Sequence, residues 1–289
     1  MTKIALMTDT SCDLPVHLLR KFDIEAVPLR VIYKDKEYRD GVDIQPSEVY
    51  DRLETEVPTT SMPSPQDIHD TFTRLKEKGY THCIVIPVSS SMSGTYNSCR
   101  LMAEDFEGMK IDVIDSRGLS WLLGFMVLEA ARLIKEKVDY SEILKRVEEA
   151  RERVRGYFVI DTLEYLKAGG RIGKVTATLG TMLNLKPIIT VDDEGGFTPF
   201  TVGRGKKNAI KKMVDHVSKQ LQNTKANIAI LQGRAEKEAE ALKEKLKDME
   251  NVCDLTISAI SPALVVHAGP GLVGLVVEPI VRPNQKINY

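Results

Sequence analysis

Short apolar runs alternate along the chain with segments whose apolar residues recur every three or four positions. The first pattern predicts buried strands and the second amphipathic helices. Ile4–Met7 reads as a strand, Thr8 to Asp13 as a polar turn, and Leu14, Leu18, Leu19 and Phe22 as one helix face. Asp13 is expected to cap that helix, with Pro15 in its first turn. Ala26–Tyr33 predicts a single second strand, turned back at Lys34–Lys36. A short helix starts at Pro46. Pro58, Pro63 and Pro65 hold the next segment extended, and Ser64 caps the helix that carries Ile68, Phe72 and Leu75. Ile84–Val88 and Ile111–Asp115 read as strands. Between them a helix from Ser93 carries Cys99, Met102, Ala103 and Phe106 on one face. Leu119 to Ile134 is apolar enough for a buried helix. Strands alternating with helices indicate a mostly parallel sheet covered on both faces.

Beyond an amphipathic helix over 140–154 the character changes. Tyr157–Ile160 predicts a strand, Asp161–Lys167 a short helix, 168–174 a glycine-rich basic loop, and Val175–Leu183 a helix. Pro187–Val191 and Phe197–Val202 predict a hairpin across Asp192–Gly196. A long helix carries Ile210, Met213, Val214, Val217 and Leu221, and another carries Ala235, Ala239, Leu242 and Leu246. Strands Asn227–Gln232 and Val252–Ser258 follow, and Leu272–Val277 is expected to close the sheet. The expected architecture is two α/β domains: a parallel-sheet α/β/α domain over 1–156 and a mixed-sheet α/β domain over 157–289.

Among the 289 residues, 40 are Lys or Arg and 41 are Asp or Glu. That balance argues against a nucleic-acid partner, which needs a basic face. The four cysteines stand singly, without metal-site or disulfide spacing. The apolar run Ile4–Met7 near the start is too short for a signal peptide, so none is expected, and Glu129 and Arg132 interrupt the longest apolar segment. A cytoplasmic protein is the expectation.

Complete catalytic motifs are missing. Gly173-Lys174 lacks the first glycine and the final hydroxyl of a phosphate-binding P-loop. No GxGxxG follows the first strand, and no HExxH or calcium loop occurs. Ser93 with His267 could serve an esterase, but the GxSxG elbow is absent. What stands out is a set of hydroxyls and cations between elements. Thr59, Thr60 and Ser61 lie on the proline-rich segment, and Ser93 and Gly94 at a helix N-terminus, where unpaired N–H groups suit an anion. Arg171 and Lys174 lie on the glycine loop, Arg204 stands between Gly203 and Gly205, and His267 precedes Gly269-Pro270-Gly271. Each has a plainer reading as a cap, a turn residue or a solvated charge.

Six stretches occur in a telling order. They are Thr8-Asp9-Thr10, Pro58-Thr59-Thr60-Ser61 with Pro63-Ser64-Pro65, Ser89-Ser90 through Ser93-Gly94-Thr95-Tyr96, Asp161 to Leu166 with Gly169-Gly170-Arg171-Ile172, Leu185-Lys186-Pro187-Ile188, and His267 to Gly271. Together they resemble the DegV family of bacterial fatty-acid-binding proteins, as a single unit over 3–282. Thr10 and Met92 stand where serine and leucine are common, keeping a hydroxyl and an apolar side chain. The resemblance implies a lipid site between two α/β domains. Carried over, Thr60 and Ser93, with Ser61, Gly94 and His267 close by, would hold the carboxylate of one long-chain fatty acid. That acid would be the ligand, with no cofactor, metal or catalytic residue. Some members present the acid to a fatty-acid kinase, which makes an acyl-phosphate for phospholipid synthesis. Arg171 and Arg204 would then meet the kinase or the new phosphate, and transient contact with a membrane or an acyltransferase would follow. Other readings are a serine esterase using Ser93 and His267, and a lipid-sensing regulatory protein. Each buried methylene contributes roughly 0.8 kcal/mol, so a long tail carries ~10 kcal/mol before ordering costs. The helix from Leu119 to Leu128 is the expected place for tail contacts.

Overall fold

In the computed structural model, which describes residues 2–178 and 185–282, β1 (Ile4–Asp9) leads through a 3-10 turn, Thr10–Cys12, into α1 (Val16–Lys21). Next come β2 (Ile24–Val27), β3 (Arg30–Ile32), β4 (Glu37–Arg39), α2 (Pro46–Arg52), β5 (Thr59–Ser61) and α3 (Pro65–Glu77). β6 (His82–Val85), α4 (Thr95–Glu104), β7 (Lys110–Val113), α5 (Trp121–Lys135) and α6 (Tyr140–Arg153) complete the first half. The first sheet has the order β2-β1-β6-β7 and is parallel throughout. The chain thus moves from β1 to one side and later to the other. The crevice beyond the carboxyl ends of β1 and β6 lies at this switch point, where open α/β sheets take their ligands. The serine loop leaves β6 there.

Two local expectations change. The strand expected over Ala26–Tyr33 is two strands, because Pro28 has no N–H to donate. β2 stays in the parallel sheet, whereas β3 pairs antiparallel with β4 and β5 in a small separate sheet. Asp13 does not cap α1. Pro15 stands at that position, and Asp13 adopts a left-handed conformation, φ 52°, with its carboxylate turned elsewhere.

The second half runs β8 (Arg155–Val159), α7 (Glu164–Ala168), a 3-10 helix at Gly173–Thr178, β9 (Leu185–Val191), β10 (Phe197–Arg204) and α8 (Lys206–Leu221). It ends with β11 (Ala226–Gly233), α9 (Glu236–Leu246), β12 (Val252–Ala259), α10 (Pro262–Ala268) and β13 (Leu272–Pro279). Of the helix expected over Val175–Leu183, residues 179–184 lie outside the described residues. The sheet order is β10-β9-β8-β13-β11-β12, with β11 and β12 parallel and the other pairs antiparallel. β13 therefore lies inside the sheet rather than closing it. Its almost continuous burial, like that of β11, is what an internal strand covered on both faces requires.

One apolar core joins the two sheets. Trp121, Leu123 and Phe125 of α5 belong to the same buried cluster as Phe158, Ile189, Leu231 and Leu272. α5 is buried almost all round, as a helix apolar on every face must be. Among the described residues no helix is long and apolar enough to cross a membrane.

Candidate functional site

A cavity of about 340 Å³ opens where the two sheets meet. Its lining includes Thr60, Ser61, Ser93, Gly94, Arg171 and His267, so the structure gathers six of the seven residues to which the resemblance gives a role. Arg204 is the seventh. It ends β10 opposite Leu185, is exposed, and stays outside the lining. Lys174 of the glycine loop is exposed and paired with Asp192 at 2.7 Å.

The serine loop divides its hydroxyls between two tasks. Ser89 Oγ donates to the Gly195 carbonyl (2.9 Å), Ser91 Oγ to the Glu194 carbonyl (2.5 Å) and Ser90 Oγ to Asp115 (2.5 Å). These three fasten the loop, two of them to the β9–β10 turn of the other sheet. Gly195 permits this approach: its φ is +82°, and a Cβ there would strike Ser89 Oγ. Ser93 is left for the cavity. Its Oγ lies 2.8 Å from Thr95 Oγ1 and accepts from the Thr95 N–H at 3.3 Å. Gly94, not Ser93, takes the N-cap position of α4, so a hydroxyl and a positive helix end face the same space.

Thr60 comes from β5, held in register opposite Val31 of β3. His267 comes from the last turn of α10. Thr60 Oγ1 and His267 Nε2 are 2.7 Å apart. Burial, and then the Arg171 charge, lower the His267 pKa to about 4, so the ring is neutral at pH 7. Arg171 spans the site's rim, donating from Nε to the Met92 carbonyl (3.1 Å) and from Nη1 to the Gly169 carbonyl (2.6 Å). Ser93 and His267 are not bonded to one another, so the nucleophile–base pair of an esterase is not formed here.

Three aspartates lie beneath. Asp9 accepts from the N–H and the hydroxyl of Ser11, a lining residue. Asp13 accepts from Ser120 Oγ (2.5 Å) and the Ser261 N–H (2.8 Å), and Asp40 from Thr10 Oγ1 (2.5 Å) and the Ala263 N–H (3.0 Å). Ser261 and Ala263 open α10, which lacks a side-chain cap of its own. The two carboxylates satisfy N–H groups that a helix leaves unpaired. Burial raises all three pKa values, Asp13 to about 7 and Asp40 to about 6. The charge these groups present to an anion above them is correspondingly reduced.

The apolar walls come mainly from the second half: Phe158, Ile160, Ile189, Phe197, Leu231 and Leu272. The first residues of the stretch 119–128, the expected place for tail contacts, line the cavity. Leu119 and Ser120, just ahead of α5, reach the cavity, whereas the helix itself packs against α6, β1 and β13. α10 was missed. Its Leu264-Val265-Val266 run is short and β-branched, and its capping partners lie far away in sequence.

A family model described as "Uncharacterised protein, DegV family" matches residues 3–279. The chain belongs to the DegV family. A DegV domain-containing protein of Clostridium perfringens is 42% identical over 278 residues, covering 96% of this chain and 99% of the relative. Among solved structures, a DegV family protein from Thermus thermophilus, described as fatty acid binding, superposes with a TM-score of 0.91 at 31% identity, over 96% of this chain and 100% of that one. A stearic acid-binding protein from Eubacterium ventriosum gives 0.86 at 30% identity, over 96% and 98%. The pairing of a parallel-sheet half with a mixed-sheet half is thus the DegV architecture. Among the described residues no group of three or more His, Cys, Asp or Glu could hold a metal ion.

Proposed function

We propose that this DegV protein binds one long-chain fatty acid, with the carboxylate at Thr60, Ser61, Ser93, Gly94 and His267 and the tail among the apolar walls. The observation that carries this reading is a cavity of ligand size, about 340 Å³, whose lining sets the hydroxyls of Thr60, Ser61 and Ser93, with Arg171 and His267, among predominantly apolar walls. Neutral hydroxyls and a helix N-terminus can hold a carboxylate without burying a full counter-charge. Fatty-acid-binding relatives of the same fold support the ligand class. The protein then acts as a carrier rather than an enzyme, presenting the acid to a kinase that makes acyl-phosphate for phospholipid synthesis in the cytoplasm. In that complex Arg171 and Arg204 contact the kinase or the phosphate. The division into domains 1–156 and 157–289 belongs to this proposal.

Native mass spectrometry of the purified protein tests ligand binding directly. A long-chain acid should co-purify or bind on addition, and Thr60→Ala with Ser93→Ala should weaken it. Absence of any bound acid overturns the reading. Addition of a fatty-acid kinase and ATP tests the carrier role. Acyl-phosphate is expected, whereas binding without turnover would favour a lipid-sensing regulator.

A further inference from the structure

Ten methionines occur in the chain, and among the described residues Met62 alone is exposed, at 38%. The others described are buried or half-buried. Met62 also lines the cavity, directly after Ser61, the last residue of β5. The segment that brings Thr60 to the site therefore brings a sulfur as well. A Cβ at Gly94 would stand 3.0 Å from Met62 Sδ, so the sulfur rests on the N-cap residue of α4. Gly94 has a φ of −69°, open to any residue, so its missing Cβ gives room for this approach. That helix end is where the carboxylate of the ligand is placed above. A thioether is apolar and a weak acceptor. Its sulfoxide is polar and carries an oxygen that accepts hydrogen bonds. An oxygen added to this sulfur would sit at the positive end of α4, on the ground a carboxylate needs. Exposure gives an oxidant access to Met62, and the contact with Gly94 gives the product a consequence. Met92, the other methionine in the lining, is half-buried and packed on the core.

We propose that Met62 is an oxidation site for peroxides and that its sulfoxide closes the cavity to long-chain acids, a consequence that rests on the fatty-acid reading of that cavity. The sulfur lone pair attacks one oxygen of hydrogen peroxide. The S–O bond forms as the O–O bond breaks, the proton on the transferred oxygen passes to the departing hydroxide, and water leaves. Sulfur is oxidised by two electrons and the peroxide is reduced by two. The sulfoxide oxygen and a ligand carboxylate are both acceptors, so they compete for the same donors and repel one another. The test treats the full chain, freed of lipid, with hydrogen peroxide, maps sulfoxides by peptide mass spectrometry, and titrates oleate before and after. Met62 should be oxidised ahead of the other methionines. Oleate affinity should fall about tenfold or more, in step with the fraction of Met62 sulfoxide. The two methionine sulfoxide reductases, one for each epimer, should together restore it. In Met62→Leu the affinity, whatever its starting value, should not change on treatment, whereas Met92→Leu should show the full loss. Far-UV circular dichroism before and after treatment separates this loss from unfolding. Untreated protein that binds no oleate removes the fatty-acid reading and this proposal with it. Oleate binding that is unchanged after Met62 is converted, or that falls equally in Met62→Leu, overturns the proposal alone.

Discussion

Thr60 Oγ1 and His267 Nε2 lie 2.7 Å apart, although 207 positions separate them in the chain. The contact ties a strand of the small sheet to the last turn of α10, and it assigns roles to both groups. His267 is neutral at pH 7, so one ring nitrogen donates and the other accepts. If Nε2 carries the hydrogen, it donates to Thr60 Oγ1 and leaves the Thr60 hydroxyl hydrogen for an anion in the cavity. Nδ1 is then a bare acceptor, and it is buried without a hydrogen-bond partner. The imidazole in this state orients the threonine and adds no charge.

Thr60→Val removes the hydroxyl and keeps the shape. A hydrogen bond to a charged group is worth roughly 1.5–3 kcal/mol. Affinity for a long-chain acid should therefore fall about 10- to 100-fold, while affinity for its methyl ester should change little. Isothermal titration with both ligands measures the difference. Equal losses for acid and ester would show that Thr60 does not read the carboxylate.

Gly169 is where the His267 ring is held from behind. A Cβ at this position would meet Nδ1 and Cε1 of the ring, while the backbone, at φ −79°, accepts any residue. Gly169→Ala therefore acts through the clash alone. Overpacking of this kind costs about 1–3 kcal/mol, and the ring must move relative to Thr60. Thermal unfolding and acid titration should both register the change. Wild-type values in both would mean that the ring has room to yield.

Much of this was legible in the sequence because the relevant signals are local. Capping at Ser64, the hairpin around Asp192–Gly196, and the alternation of strands and helices each follow from adjacent residues. The hydroxyl-rich loops could be recognised, but not the sorting of Ser89, Ser90 and Ser91 into fasteners and Ser93 into the lining. That depends on the turn at Glu194 and Gly195 and on Asp115. α10 escaped notice for the same reason, since the aspartates at its N-terminus stand 248 and 223 positions away. The mid-sheet place of β13 also depends on pairings that no local pattern encodes.

Arg171 is the second cause of the low His267 pKa, after burial. Arg171→Gln should raise the midpoint from about 4 while leaving it below the ordinary histidine range. A proton NMR titration of the ring C–H resonances reads this directly. The sign for stability follows. Between about 4 and 6.5 the unfolded state binds the proton and the folded state does not, so this group's contribution is lost as pH falls through that window. With the arginine gone the window should narrow. An unmoved midpoint would mean that the guanidinium charge is screened from the ring.

Asp40 works in the opposite direction. Burial raises its folded pKa to about 6 from 3.8, against the opposing hydrogen bonds from Thr10 and Ala263. A raised pKa gives a contribution that is complete below the unfolded value and lost as pH rises through the folded one. Ionised Asp40 should thus cost the fold about 3 kcal/mol at pH 8 relative to its protonated form. In Asp40→Asn the side-chain oxygen can still accept from Ala263, and the amide can donate to Thr10 Oγ1, with no charge to desolvate. The stability difference between variant and wild type should shift in favour of Asn as pH rises from about 4 to about 7 and then level off. The His267 contribution is common to both proteins and drops out of that difference. Urea denaturation at pH 4.5, 6 and 8 gives the comparison, and a difference independent of pH would show that Asp40 is ionised in the folded protein throughout that range.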